Sequence, residues 1–127
     1  MPTYRIIIAG GRHFLDAHLV QEKCTPIIQD LRNKGFKIEI VSGHASGADT
    51  LGEFYAESRQ IPVKLFPAEW SKYGKRAGFL RNEQMADYAK EQGYGGLIAF
   101  WDGKSPGTKS MIELAKRKGL EVLVVNY

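Results

Sequence analysis

Five runs of apolar residues alternate along the chain with segments whose apolar positions recur at helical spacing. The runs cover residues 4–9, 36–41, 63–66, 96–101 and 121–125. Three of them, RIIIAG, GLIAFW and EVLVVN, are almost continuously apolar, which is typical of parallel strands covered on both faces. The run FKIEIV alternates instead, and this indicates a strand with a more polar face or a place nearer the sheet edge.

Four helices are predicted between these runs, over residues 16–34, 46–59, 79–91 and 108–118. The first contains Pro26, which costs about 3 kcal/mol inside a helix, so either two helices or one kinked helix are expected there. Gly119 suits the position just beyond the last helix. The stretch FPAEWSKYGKRAG is long for a loop in such a fold, and long loops are usually functional or lid-like.

Strand and helix thus alternate throughout, which predicts an α/β fold: a three-layer sandwich with a mainly parallel sheet of about five strands. The 127 residues fit one domain over 1–127. No apolar run approaches the roughly 20 residues of a membrane helix, so no membrane partner is expected. MPTYRIIIAGG does not resemble a signal peptide, and the single cysteine, Cys24, favours a cytoplasmic location.

Glycine and hydroxyl residues follow three of the predicted strands, in GGRHF, SGHASGAD and WDGKSPGT. Ligands of doubly wound sheets bind outside the carboxyl ends of the strands, and helix N-termini there attract anions. With a net charge of +4, the chain also favours anionic partners in general. The predicted ligand-binding residues are Gly10, Gly11, Arg12, Ser42, Gly43, His44, Ser46, Gly47, Asp49, Arg81, Asn82, Trp101, Asp102, Gly103, Ser105, Gly107 and Thr108.

Individual roles follow from the chemistry of these side chains. Arg12 suits a forked contact to a phosphate. A carboxylate beside phosphate oxygens is repulsive, so Asp102 is assigned to a ribose or base, whereas the helix dipole explains Asp49 equally well. No P-loop ending or dinucleotide fingerprint is present. The histidines lack neighbours at metal-ligand spacing, so no metal site is predicted.

The motifs GGRHFLD, SGHASGADTLGEFYA, FPAEWSKYGKRAGFLRNEQM and IAFWDGKSPGTKSMIELAKRKG resemble the small YspA-like branch of the SLOG superfamily, which groups Smf/DprA and Lonely Guy proteins. The resemblance spans nearly the whole chain. It implies a single Rossmann-like, SLOG-like nucleotide-binding domain over 1–127, with ligands at the glycine-rich strand ends. It also implies a homo-oligomer, either a dimer or a tetramer.

The similar Lonely Guy enzymes hydrolyse the N-glycosidic bond of nucleotides with an arginine and a glutamate. The arginine matches Arg81, and their Gly-Thr pair matches Gly107 and Thr108. The glutamate does not match, because Met111 stands at its position. A methionine can neither activate water nor steady an oxocarbenium-like state. Whether the chain is an enzyme is therefore left open.

Three functions remain. The first is binding of a nucleotide or nucleotide-derived small molecule, as a sensor, carrier or sequestering module. The second is a nucleoside monophosphate N-glycosidase (a phosphoribohydrolase), for which Arg81, Asp102 and Glu83 are the catalytic candidates. The third is single-stranded nucleic acid binding, which rests on the basic strip over residues 72–81 with Trp70 and Tyr73. No cofactor is predicted, apart from Mg²⁺ that a nucleotide's phosphates would bring.

Overall fold

A single sheet of five parallel strands organises the molecule, in the order β3-β2-β1-β4-β5. The computed structural model describes residues 1–127. The strands are β1 (Thr3–Gly10), β2 (Lys37–Ser42), β3 (Val63–Leu65), β4 (Gly96–Trp101) and β5 (Glu121–Asn126). The predicted α/β fold with a parallel sheet is confirmed. The strand order reverses between β1 and β4, which creates the crevice where such sheets bind ligands.

Helices cover both faces of this sheet. They are α1 (Ala17–Asn33), α2 (Ala48–Ser58), the short α3 (Trp70–Tyr73), α4 (Ala77–Lys90) and α5 (Pro106–Arg117). Successive side chains of a strand point to opposite faces. Ile8 of β1 therefore packs in one core with Cys24 and Tyr55 of α1 and α2. Ala9 packs in the other core with Met85 of α4 and Met111 of α5.

The segment around Pro26 is one continuous helix, α1, rather than two helices. Its N-terminus is capped by Asp16, whose carboxylate accepts a hydrogen bond of 3.0 Å from the N–H of Leu19. Thr25 lies inside this helix, directly before Pro26. Its hydroxyl shares a hydrogen bond of 2.7 Å with that of Tyr55, which ties α1 to α2.

One expectation about the strands differs from the structure, whereas the more polar face expected of β2 is present. The apolar run of β5 is not covered on both faces, because β5 is an edge strand and Leu123 is 38% exposed. The alternating β2 lies inside the sheet, between β3 and β1. Its polar position is explained by Glu39, which accepts a hydrogen bond from the Tyr88 hydroxyl and lies 3.5 Å from the Arg5 guanidinium.

The long stretch before α4 is only partly irregular. It holds α3 and a 3₁₀ turn over Gly74–Arg76, and α4 then begins at Ala77, slightly earlier than predicted. The stretch thus leads directly into the helix that carries Arg81. None of the helices combines the length and the apolar character that crossing a membrane requires.

Candidate functional site

Two adjoining cavities lie at the carboxyl ends of the strands, around the point where the strand order reverses. The first cavity has a volume of about 500 Å³, a buried apolar lining that includes Met85 and Met111, and the start of α5 at its rim. The second cavity has a volume of about 520 Å³ and is lined by residues that include His44, Pro67 and Trp70. Both volumes are typical of small-molecule sites.

Most of the predicted ligand-binding residues line one of these cavities. In the first cavity are Gly10, Gly11, Arg12, Asp49, Arg81, Asn82, Asp102, Ser105, Gly107 and Thr108. In the second cavity are Gly43, His44 and Ser46, together with Arg12 and Arg81 again. The fold therefore brings together the three glycine-rich segments and the start of α4. Ligand contact by these residues stays a prediction.

Four predicted residues line neither cavity, and each has a role inside the protein. The hydroxyl of Ser42 is buried and donates to a carboxylate oxygen of Glu53 at 2.6 Å. The indole N–H of Trp101 donates to the carbonyl of Ser105 at 3.1 Å and so shapes the loop before α5. Gly103 allows that loop to turn at a φ of 82°.

Gly47, the fourth of these residues, allows two backbone segments to touch. Its φ is 80°, and a Cβ there would overlap the carbonyl of Gly11 and the backbone of Arg12. Only glycine can combine this conformation with such a close approach. Gly47 therefore places the start of α2 directly against the loop that follows β1.

Two arginines form the wall that the cavities share. Arg12 and Arg81 line both cavities, and neither forms a salt bridge with a carboxylate. Arg81 donates to the carbonyl of Gly43 at 2.5 Å and to the side chain of Asn82 at 2.9 Å. Burial lowers the pKa of Arg81, and the positive charge of Arg12 lowers it further against the opposing charge of Asp49. An anion between the two guanidinium groups would stabilise the charged form of Arg81 against both its burial and the charge of Arg12.

Asp49 is a buried carboxylate in the first turn of α2, only 5% exposed. It accepts a hydrogen bond of 3.2 Å from the N–H of Ala45. Burial raises the pKa of Asp49 to about 6, although the Ala45 hydrogen bond and the Arg81 charge oppose the shift. The carboxyl is therefore partly protonated close to neutral pH.

The start of α5 presents unbonded backbone groups to the first cavity. Its cap residue, Ser105, makes no capping hydrogen bond through its side chain. The N–H groups of Gly107 and Thr108 form no hydrogen bond within the chain. Such groups, with the helix dipole behind them, attract anions.

Asp102 precedes this helix and organises its loop. One carboxylate oxygen accepts from the N–H groups of Lys104 and Ser105, at 2.8 Å each. These hydrogen bonds lower the pKa of Asp102, so the group is ionised. Asp102 thus holds the loop as well as lining the first cavity, and only its other oxygen remains for a ligand.

Glu83, the other acidic catalytic candidate, lines neither cavity. Its charge acts on Lys118, whose pKa is raised mainly by Asp87. No three histidine, cysteine, aspartate or glutamate side chains gather as a metal site. The acids that line the first cavity are therefore Asp49 and Asp102 alone.

Sequence reasoning missed several residues here. Glu53 binds both Ser42 and His44, and its position one helical turn after Asp49 could have indicated it. Phe79 lines the first cavity at the start of α4. Tyr127 lies with its hydroxyl against Gly11 and its ring centroid 4.6 Å from that of Phe14, and nothing local at the C-terminus signals this contact.

Comparisons with known proteins show what the chain is similar to. The chain is 29% identical over 124 residues to the Gene 61 protein of Mycobacterium phage D29, covering 94% of each chain. Among solved structures, phenylacrylic acid decarboxylase from Aquifex aeolicus matches with a TM-score of 0.42 and 10% identity, over 98% of this chain and 81% of that one.

A family model described as YspA, cpYpsA-related SLOG family matches residues 4–73. The match includes β1, α1, β2, α2 and β3, and therefore the loops that carry Arg12 and His44. It covers more than half of the 127 residues. The chain therefore belongs to the YspA, cpYpsA-related SLOG family, which supports a nucleotide-related role in general, whether binding or processing.

Proposed function

We propose that the protein binds a nucleotide or a nucleotide-derived small molecule in the first cavity, as a sensor, carrier or sequestering module. One observation carries the proposal: Arg12 and Arg81 line the crevice at the strand reversal without any carboxylate paired to them. Two unpaired cations held close together favour a doubly charged phosphoryl group over water.

The rest of the first cavity suits the remainder of a nucleotide. Polar groups are available at the start of α5, where two unbonded backbone N–H groups add positive potential. The buried side chains of Met85 and Met111 offer an apolar surface to a base or a sugar ring. The free oxygen of Asp102 can accept from a ribose hydroxyl.

Binding without cleavage is favoured by the identity of the acids. Met111 is 2% exposed and lines the first cavity, at the position where the similar glycosidases carry their glutamate. Asp102 is engaged with its own loop, and Glu83 lies outside both cavities. The two acids that do line the first cavity, Asp49 and Asp102, each accept hydrogen bonds from nearby backbone N–H groups, and neither stands at the position of that glutamate.

Titration calorimetry with the monophosphates of adenosine, guanosine, cytidine and uridine tests the proposal. We expect one of them to bind, and Arg12→Gln and Arg81→Gln each to weaken it about 10- to 100-fold, because a charge-assisted hydrogen bond contributes about 1.5–3 kcal/mol. Arg32→Gln is the matched control, since Arg32 is exposed on α1 and lines neither cavity. The affinity of the Arg32→Gln variant for the nucleotide should stay within twofold of that of the wild type.

Absence of binding at millimolar concentration, or an equal loss in the Arg32 control, would contradict the proposal. Mass spectrometry of the same mixtures distinguishes retention from turnover. Intact nucleotide recovered in full supports a binding module, whereas free base would indicate the glycosidase.

We also propose that the protein acts in the cytoplasm as a dimer or tetramer. The exposed side chains of Trp70, Tyr73 and Phe79 lie close together in sequence on α3 and α4, and exposed aromatic groups of this kind suit an interface between copies. Sedimentation velocity at micromolar concentration measures the assembly. A single species at the 14.2 kDa monomer mass would contradict it.

A further inference from the structure

His44 is held in an unusual and well-defined conformation at the second cavity. Its φ is 59°, one of only two positive values among the non-glycine residues of the chain. Such a conformation is uncommon for residues other than glycine and persists where surrounding contacts impose it. Here the N–H of His44 donates to the hydroxyl of Ser42 at 3.1 Å.

Glu53 fixes the imidazole ring as well. The Nδ1 atom of His44 lies 3.1 Å from both carboxylate oxygens of Glu53. The same carboxylate accepts from Ser42 at 2.6 Å, so the three residues form one closed hydrogen-bond network. A carboxylate bound at one ring nitrogen sets which nitrogen carries the proton and leaves the other for a ligand.

The other nitrogen, Nε2, is unoccupied and accessible. It forms no hydrogen bond within the chain, and the side chain is 53% exposed. The second cavity around it also contains Arg12 and Arg81 and no carboxylate among its lining residues. In the doubly protonated form of the ring, Nδ1–H stays on Glu53, and Nε2–H is a donor in the cavity that the two guanidinium groups line. Three donors without an acceptor form an anion subsite.

The shared arginines link this subsite to the first cavity. Because Arg12 and Arg81 line both cavities, a group bound in the second can contact the same two side chains as a phosphoryl group in the first. We propose that the second cavity holds a second phosphoryl group, so that the ligand is a nucleoside diphosphate bridging both cavities. This inference rests on the proposed function. His44 contacts the second phosphoryl group, and Glu53 is the positioning residue.

The test compares each nucleoside monophosphate with its diphosphate, in EDTA and at fixed ionic strength. We expect the diphosphate of the preferred base to bind at least 10-fold more tightly than its monophosphate. In His44→Asn this ratio should fall to below about threefold. Asparagine tolerates a positive φ, so the loop is retained. Thermal melting checks that the variant is folded.

Glu53→Gln should lower the same ratio by a smaller factor, since the ring remains but is no longer held. Glu57→Gln and His18→Gln are the matched controls, because both side chains are exposed and lie outside the cavities. A phosphorus NMR signal gives a second readout. The β-phosphorus resonance should shift on binding to the wild type and return toward its free value in His44→Asn, with the α-phosphorus unchanged.

The outcomes separate this inference from the proposed function. Monophosphate binding without a diphosphate advantage would overturn the second subsite and leave the proposed function standing. A diphosphate advantage that survives in His44→Asn would overturn it as well. If neither kind of nucleotide binds, both proposals fail together.

Discussion

The starts of α2 and α5 come from similar sequence but differ in how closely other backbone packs against them. Both follow a parallel strand through a segment rich in glycine and hydroxyl residues, SGHASGAD before α2 and DGKSPGT before α5. At α2 the N–H of Ala48 donates to the carbonyl of Gly11 at 3.1 Å, and the carboxylate of Asp49 accepts from Ala45. At α5 the N–H groups of Gly107 and Thr108 form no hydrogen bond, and neither do those of Asp49 and Thr50 at α2. The first residue of α2 is thus bonded to the loop after β1, whereas α5 begins with Pro106, which has no N–H to donate.

The difference teaches that a glycine-rich turn has two separate uses. Before α2 glycine allows another backbone to come close, as Gly47 does with Gly11 and Arg12. Before α5 a Cβ at Gly103 or Gly107 would meet nothing within 4 Å, so the space stays open. The same residue type therefore closes one helix start and leaves the other accessible.

The largest expected effect comes from opening the packed start of α2. Gly47→Ala should lower the free energy of unfolding by at least about 3 kcal/mol, because a strained φ and a backbone overlap act together. Gly103→Ala has nearly the same φ but open space, so a loss of about 1 kcal/mol is expected. Urea denaturation measures both. Equal losses would show that close approach is not what requires glycine at 47.

A second prediction concerns the buried carboxyl at the same helix start. The native state binds the Asp49 proton more tightly than the unfolded chain, since burial raises the pKa from 3.8 to about 6. The stability that this proton contributes is present below about pH 4 and is lost as the pH rises through 6. The loss is about 3 kcal/mol for a shift of this size.

Asp49→Asn should remove this contribution to the pH profile and be more stable than the wild type at pH 7. Urea denaturation at several pH values between 4 and 7 compares the slopes. Asp30→Asn is the control, because Asp30 is exposed on α1, where it pairs with Lys34. If the difference in the free energy of unfolding between Asp49→Asn and the wild type does not change with pH, the prediction is wrong.

The smallest effect on stability is expected at the open helix start. Gly107→Ala and Gly107→Asp should each raise the free energy of unfolding by up to about 1 kcal/mol, through helix propensity and, for aspartate, the dipole. Their nucleotide affinities should differ sharply. The alanine variant should bind within twofold of the wild type, whereas the added carboxylate should weaken binding at least about 10-fold by repelling phosphate.

Calorimetry and urea denaturation on the same two variants check this pair. A stabilised aspartate variant that still binds nucleotide normally would mean that the phosphoryl group lies away from α5. That result would leave Arg12 and Arg81 as the only anion-binding groups of the first cavity.

Much of the fold could be predicted from local pattern. The near-continuous apolar runs of β1 and β4 identify strands that are buried on both faces of the sheet. The apolar stripe of α1 identifies a helix that is buried on one face, because helical geometry brings every third or fourth residue to that face. The pattern failed at β5, whose apolar run is equally continuous although the strand lies at the edge. The composition of a segment shows how apolar a strand is. Its place in the sheet depends instead on the connections between all the strands of the chain.

The candidate site could be predicted in outline for the same reason. Parallel strands direct their carboxyl ends to one edge, so glycine-rich segments after β1, β2 and β4 must meet. Which members of those segments face a cavity was not predictable, and Ser42 and Trp101 turned inward to bind Glu53 and Ser105. A side chain bonds to groups that lie near it in the folded protein. The separation of residues along the sequence does not show which groups those are.

The sequence by itself determined the parallel α/β architecture and the gathering of three glycine-rich segments at one edge of the sheet. Only the tertiary structure decided which helix start is packed against other backbone and that Arg12 and Arg81 line one cavity without a salt bridge to a carboxylate. It also decided that Glu53 holds His44. Secondary structure follows from periodicities within a few residues. The site follows from contacts such as that between Arg81 and Gly43, which are distant along the chain and exist only once the sheet has formed.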